Sequence, residues 1–207
     1  MLQYFLGLSK VEKGENMKIL VIDDNEVNLS AAKAQLVDHE LVVASSYDEA
    51  QKLVVSWART GSIDDRSHGR HDFDVVLVDL LMPASAQVQN LEGRQYVGQE
   101  MPIGIFLALL AARNGARYVA VHTDSDHHSH PASACFDDFN TRETKPTPFQ
   151  VENAKVLLSN NRRWVQLFLR EDLTKPLEQD IYGRVAVEVT RTVRAKNWRA
   201  LLDYLLA

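Results

Sequence analysis

Three short apolar runs in this chain end in side chains that can bind a metal ion or a phosphate. Asp23 and Asp24 follow the first run, Asp79 follows the second and Thr123 follows the third. Apolar runs without polar alternation are typical of strands buried on both faces of a parallel sheet, whose carboxyl ends meet at one edge. Three carboxylates that lie next to one another at this edge cannot all stay ionised without a cation. The pattern therefore predicts a Mg²⁺ site with room for a phosphate.

The elements that must position these residues alternate between strands and helices. The predicted strands are 18–22, 40–44, 74–79, 117–122 and 154–159. Helices are predicted after the N-cap Asn25, after the capping box at 46–49, over 102–114, over 131–139 and at 198–205. This alternation predicts one doubly wound α/β domain over residues 17–207, with a five-stranded parallel sheet. Two stretches without periodicity, 83–101 and 160–194, are predicted insertions after strands three and five.

Composition excludes several classes of function. The net charge is -5 and no Lys/Arg-rich run is present, so nucleic-acid binding has no electrostatic support. The longest apolar stretch, 103–112, is too short to span a bilayer. The single Cys135 suits a reducing compartment. We therefore expect a cytoplasmic protein that binds neither nucleic acid nor a membrane.

Residues 1–16 are expected to be an extension that is not part of the native protein. Their apolar start lacks the positive region of a signal peptide. Codons for Lys13 and the two residues after it can spell a purine-rich ribosome-binding sequence shortly before Met17. Translation is therefore expected to start at Met17.

The first two apolar runs with the carboxylates that follow them, together with Thr123, resemble the receiver domain of two-component response regulators. The matching stretches are ILVIDD at 19–24 and VDLLMP at 78–83. The resemblance covers most of residues 17–123 and extends loosely beyond them. It implies a flavodoxin-like fold with a five-stranded parallel sheet in the order 2-1-3-4-5.

The resemblance also implies roles for individual residues. Asp79 would accept a phosphoryl group from a histidine kinase or a phosphotransfer protein. Asp24 would bind Mg²⁺ directly with help from Asp23, and the backbone carbonyl of Leu81 would complete the metal shell. Thr123 would hydrogen-bond the phosphoryl oxygens. The protein would then be a signalling phospho-acceptor rather than an enzyme with a separate substrate; its downstream target and a homodimeric state stay open.

The family also has a lysine at the end of strand five, followed by proline. Lys145 and Pro146 supply this dipeptide, but residues 139–144 before them do not form an apolar run. The apolar run at 154–159 is the better strand, and no lysine follows it directly. Lys145 is therefore the candidate, reaching the pocket from a loop.

Two other functions are compatible with the sequence. One is a pseudo-receiver, a protein-interaction module that keeps the acidic crevice without being switched by phosphate. The other is a metal-dependent hydrolase that uses the His-rich loop at 122–130, where imidazoles and carboxylates are dense. The spacing in that loop matches no metal-binding pattern, so we interpret it as a solvated loop beside the pocket.

Overall fold

A six-stranded sheet forms the centre of the molecule. The computed structural model describes residues 16–55, 73–85, 87, 90–140, 145–170 and 191–207. The strands of the sheet are β1 (Lys18–Ile22), β2 (Glu40–Ala44), β3 (Val75–Val78), β6 (Tyr118–His122), β7 (Phe149–Val151) and β8 (Ala154–Ser159). Their order is β2-β1-β3-β6-β8-β7. All neighbours are parallel except β7, which pairs antiparallel with β8 at one edge.

Within the described residues, five α-helices accompany the sheet: α1 (Glu26–Gln35), α2 (Tyr47–Val55), α3 (Gly104–Arg113), α4 (Pro131–Ala134) and α5 (Trp198–Leu206). The strand side chains alternate between two apolar clusters, as a pleated sheet requires. Leu20 and Val76 point into the cluster that contains α2 and α3, whereas Ile19 and Val75 point into the cluster that contains α1 and α5. The sheet is therefore covered on both faces, which explains its nearly continuous apolar strands.

In the part of the chain that the structure describes, two small antiparallel pairs lie outside the central sheet. The strands β4 (Met82–Pro83) and β5 (Glu100–Met101) bracket the first insertion. The strands β9 (Val165–Arg170) and β10 (Arg191–Lys196) lie in the second insertion, and their register pairs Val165 with Lys196. Because α5 starts two residues after Lys196, this hairpin returns the chain to the sheet directly before the last helix.

The predicted α/β class and the mostly parallel sheet are confirmed, but the number of strands is not. The sheet has six strands rather than five, and the additional β7 changes the order at one edge. β7 has only three residues, and none of them is fully buried, so it leaves no apolar run that sequence analysis could detect.

Several predictions fall on residues outside the described ranges. These are most of the expected extension at 1–16, any continuation of the second predicted helix beyond residue 55, and the interior of the second insertion. Among the described helices, none has both the length and the apolar character needed to cross a lipid bilayer.

Candidate active site at the carboxyl ends of the strands

The structure brings the three predicted carboxylates together. β1 and β3 are neighbours, and the Asp79 amide donates a hydrogen bond to the Ile22 carbonyl at 2.8 Å. Ligand oxygens of Asp23, Asp24 and Asp79 lie within 4.8 Å of one another. Asp23 and Asp79 are buried, whereas Asp24 is exposed. The cluster thus has two inner carboxylates and one that faces solvent.

A buried lysine completes this cluster. The Lys196 ammonium lies 2.7 Å from Asp23 Oδ2, with which it hydrogen-bonds, and 2.7 Å from Asp79 Oδ1, with which it forms an ion pair. The lysine side chain has no exposure to solvent. Lys196 therefore holds the inner carboxylates from one side.

Residues of α1 fix the positions of both Asp23 and Lys196. The Asn28 amide donates to the two Asp23 oxygens at 3.1 and 3.0 Å, and its Oδ1 accepts from the Lys196 backbone N–H at 3.0 Å. Gln35 donates to the Lys196 carbonyl at 3.2 Å, and the Trp198 indole donates to the Asn28 carbonyl at 2.9 Å. The lysine is held by its backbone as well as by its charge, which is the arrangement expected of a pre-organised site.

Burial and charge shift the pKa values of this cluster. Burial raises the pKa of Asp79 to about 7, with Lys196 opposing the shift and Asp23 adding to it. Burial alone would lower the pKa of Lys196, but the carboxylates of Asp79, Asp23 and Asp124 outweigh it and raise that pKa. Burial and the charge of Asp23 also raise the pKa of Asp24. The cluster therefore has more negative than positive charge and favours an additional cation.

The residues present fit Mg²⁺. Every candidate ligand is an oxygen, the donor type that Mg²⁺ prefers. Asp79 Oδ1 is buried and forms an ion pair with Lys196 at 2.7 Å, but one ammonium cannot neutralise all three carboxylates of the cluster. Leu81, whose carbonyl was the fourth predicted ligand, lies between β3 and β4, two residues after Asp79.

Thr123 lies at the same edge of the sheet, directly after β6. It is buried, its N–H donates to the Ser159 carbonyl at 3.0 Å, and its hydroxyl accepts from the Ser125 N–H at 3.1 Å. The hydroxyl proton stays available for a bond to a ligand. Thr123 thus occupies the predicted strand end.

The neighbouring His122 is fully buried beneath this edge. Its Nδ1 lies 3.1 Å from the Ser159 carbonyl, and its ring makes an edge contact with Trp164 at 5.8 Å between centroids. Burial, and then the charge of Lys196, lower the pKa of His122 to about 3. The imidazole is therefore neutral at physiological pH.

The structure does not bring Lys145 to the acidic cluster. Lys145 is exposed and lies beside Pro146, whose backbone forms an isolated bridge with Asn140 ahead of β7. The lysine that contacts the carboxylates is Lys196, which sequence analysis missed. Its available signal was its position: Lys196 precedes Asn197, the N-cap of the last amphipathic helix.

An open groove lies next to the cluster, with a volume of about 430 Å³. Its lining residues are Asp124, Arg162, Val165, Gln166, Leu167 and Arg194. Asp124 is close enough to influence the pKa of Asp79, so the groove borders the acidic site. Its two arginines come from the second insertion and give an otherwise acidic rim some positive charge.

No protein-family model matches the chain, and no curated protein matches it significantly in sequence. The functional argument below therefore depends on the geometry of the site and on the motifs that it contains.

We expect the contributions of Asp79 and His122 to the free energy of unfolding to change with pH in opposite directions. The folded chain raises the pKa of Asp79 from 3.8 to about 7, so its contribution is full below pH 3.8 and is lost as pH rises through 7. The folded chain lowers the pKa of His122 from 6.5 to about 3, so its contribution is full above pH 6.5 and is lost as pH falls toward 3.

Single substitutions separate the two effects. Between pH 7 and pH 5, the free energy of unfolding should fall by about 2 kcal/mol in Asp79→Asn and rise by about 2 kcal/mol in His122→Asn. Asparagine at position 122 can still donate to the Ser159 carbonyl. Urea denaturation at several pH values measures both slopes, and parallel slopes for the two variants would contradict the assigned shifts.

Proposed function

We propose that this protein is a receiver-type phospho-acceptor for two-component signalling, in which Asp79 takes up a phosphoryl group in a Mg²⁺-dependent reaction. The observation that carries the proposal is the convergence of Asp23, Asp24 and Asp79 at one sheet edge, with Lys196 in contact with two of them. A carboxylate is a known covalent acceptor in group transfer.

The residues present suggest how the reaction would proceed. An Asp79 carboxylate oxygen attacks phosphorus, the bond between phosphorus and the donor's histidine nitrogen breaks, and its electron pair stays on that nitrogen. Lys196 and the Thr123 hydroxyl are suited to bind the phosphoryl oxygens as charge moves onto Asp79. Mg²⁺, held by Asp23, Asp24 and the Leu81 carbonyl, would neutralise phosphoryl charge.

The architecture supports the same proposal. In open α/β sheets, ligands bind outside the carboxyl ends of the strands, where the strand order reverses. Here β1 lies between β2 and β3 in the sheet. The acidic residues come directly after β1 and β3 in the sequence. We infer a flavodoxin-like receiver fold with an added edge strand, a cytoplasmic location, and a histidine kinase or phosphotransfer protein as the phosphodonor.

A small phosphodonor tests the proposal directly. Incubation with acetyl phosphate and Mg²⁺ should add the mass of one phosphoryl group, because Asp79 can attack a simple acyl phosphate without a kinase. Asp79→Asn should abolish the mass gain. Asp203→Asn, which changes an exposed carboxylate on α5, is the matched control and should behave like the unsubstituted protein. Equal mass gain in Asp79→Asn and in the control would contradict the proposal.

The second candidate function is the pseudo-receiver, an interaction module that phosphate does not switch. It is favoured by one observation: Lys196 pairs with both Asp23 and Asp79, so the protein itself partly neutralises the buried carboxylates. In the phosphodonor experiment this candidate predicts Mg²⁺ binding without any mass gain.

A further inference from the structure

A second cluster of metal-binding groups lies in the loop between β6 and α4. Asp126, His127 and His128 each offer one ligand atom, and these atoms lie within 4.8 Å of one another. We propose that this loop is a separate site for a divalent transition-metal ion of the Zn²⁺ class. The ligands are His127 Nε2, His128 Nε2 and Asp126 Oδ1.

The two imidazoles already face each other through the nitrogens that would bind the ion. His127 Nε2 and His128 Nε2 are 2.7 Å apart, and Asp126 Oδ1 lies 3.9 Å from His127 Nε2. Two nitrogen ligands of a tetrahedral Zn²⁺ are about 3.3 Å apart, given Zn–N bonds of about 2.0–2.1 Å. The rings need to separate by a fraction of an ångström, which partly exposed side chains in a loop can do.

A carboxylate orients the first imidazole from behind. Asp137 Oδ2 lies 2.8 Å from His127 Nδ1, and the Asn160 amide donates to Asp137 Oδ1 at 2.9 Å. A carboxylate on the far nitrogen of a histidine is the usual outer partner of a metal-binding imidazole, because it fixes the tautomer and the ring orientation. Here it leaves the Nε2 lone pair directed at the cluster.

The third ligand is also held in place. Arg162 pairs with Asp126 Oδ2 at 2.6 Å, and the His128 backbone N–H donates to Asp126 Oδ1 at 2.8 Å. The arginine occupies one oxygen and leaves the other on the side of the imidazoles. The cluster is thus held by Asp137, which follows α4, and by Asn160 and Arg162, which follow β8, as well as by contacts within the loop.

The donor types separate this site from the acidic cluster. Two imidazoles and one carboxylate select Zn²⁺-like ions, whereas the all-oxygen set of Asp23, Asp24 and Asp79 selects Mg²⁺. Three protein ligands leave one position of a tetrahedral ion for water or another small group. The two sites are therefore expected to bind different ions independently.

Titration of untagged protein with Zn²⁺ in the presence of excess Mg²⁺ tests the proposal. We expect one strong Zn²⁺ equivalent, and at least tenfold weaker binding in the double variant His127→Ala/His128→Ala. Asp137→Asn should weaken binding about tenfold or more, because outer partners contribute 10–100-fold in affinity. Asp24→Asn should leave Zn²⁺ affinity unchanged.

Two variants in the same region serve as controls. His130→Asn removes an imidazole but keeps a side chain able to cap α4, where His130 Nδ1 accepts from the Ala132 N–H at 3.1 Å. Cys135→Ser removes the exposed thiol beyond α4. Both variants should bind Zn²⁺ like the unsubstituted protein. In the unsubstituted protein, Co²⁺ bound in place of Zn²⁺ should give the intense visible absorption of a tetrahedral site.

Three results would overturn the proposal. They are unchanged Zn²⁺ affinity in the double histidine variant, loss of binding in either control variant, and absence of any Zn²⁺ equivalent in protein that circular dichroism shows to be folded. In the last case, the contact between His127 and His128 is only a hydrogen bond between imidazoles.

Discussion

Replacing Lys196 with methionine is expected to lower the free energy of unfolding by about 3–5 kcal/mol at pH 7 or above. The substitution removes the ammonium that lies 2.7 Å from both Asp23 and Asp79, and leaves these buried carboxylates uncompensated. The loss should shrink at pH 5, where Asp79, with its pKa raised by burial to about 7, takes up a proton instead. Urea denaturation at the two pH values measures the effect.

The chain offers a matched control for this substitution. Lys18 pairs with Glu40 at 3.2 Å, but both side chains are substantially exposed to solvent. Lys18→Met should therefore cost at most about 1 kcal/mol. Adding Asp79→Asn to Lys196→Met should recover part of the lost stability, because it removes one of the unpaired charges. Equal losses in Lys196→Met and Lys18→Met would contradict the account of a buried ion pair.

Replacing Gly104 with alanine is expected to cost about 3 kcal/mol or more, at the upper end of what overpacking costs. A Cβ atom at Gly104 would overlap the Asp79 carbonyl oxygen and lie 2.8 Å from its carbonyl carbon. Backbone atoms cannot rotate away as a side chain can, so α3 and the end of β3 must move apart. The Gly104 N–H also donates to the Leu80 carbonyl at 3.1 Å, a contact that this movement would weaken.

Gly98→Ala is the control for this prediction. Gly98 has a φ of 77°, and nothing lies within 4 Å of a Cβ built on it, so its substitution costs only backbone strain of about 1–2 kcal/mol. Gly104→Ala should also slow phosphoryl uptake at Asp79 because it displaces that residue, whereas Gly98→Ala should not. If Gly104→Ala lost no more stability than Gly98→Ala, α3 could not lie as close to the Asp79 backbone as described here.

The acidic part of the site was predictable from sequence because its signals are local. Each carboxylate directly follows a short apolar run, and such runs become neighbouring parallel strands that end at one edge. The strand at 154–159 was predicted for the same reason, and the structure has it over Ala154–Ser159. Burial on both faces gives the sequence a pattern that needs no knowledge of the rest of the fold.

The lysine was not predictable in this way because its position depends on distant contacts. Lys196 is 173 residues from Asp23 in the sequence. The β9–β10 hairpin and the Asn28 amide hold its backbone, and neither contact produces a periodic pattern. The dipeptide at 145–146 matched the family motif, but Lys145 is exposed and lies outside the described strands. The position of Lys196, directly before the N-cap of α5, is the better indicator of the site lysine, because α5 starts at the edge of the sheet where the carboxylates lie.

Identifying the residue that carries the phosphoryl group tests the central claim most directly. After incubation with acetyl phosphate and Mg²⁺, reduction with borohydride would convert an acyl phosphate to a stable alcohol, and peptide mass spectrometry would locate it. We predict modification at Asp79 alone, only when Mg²⁺ is present. Modification at another residue, or Mg²⁺ binding at the acidic cluster without any modification of Asp79, would contradict the phospho-acceptor assignment.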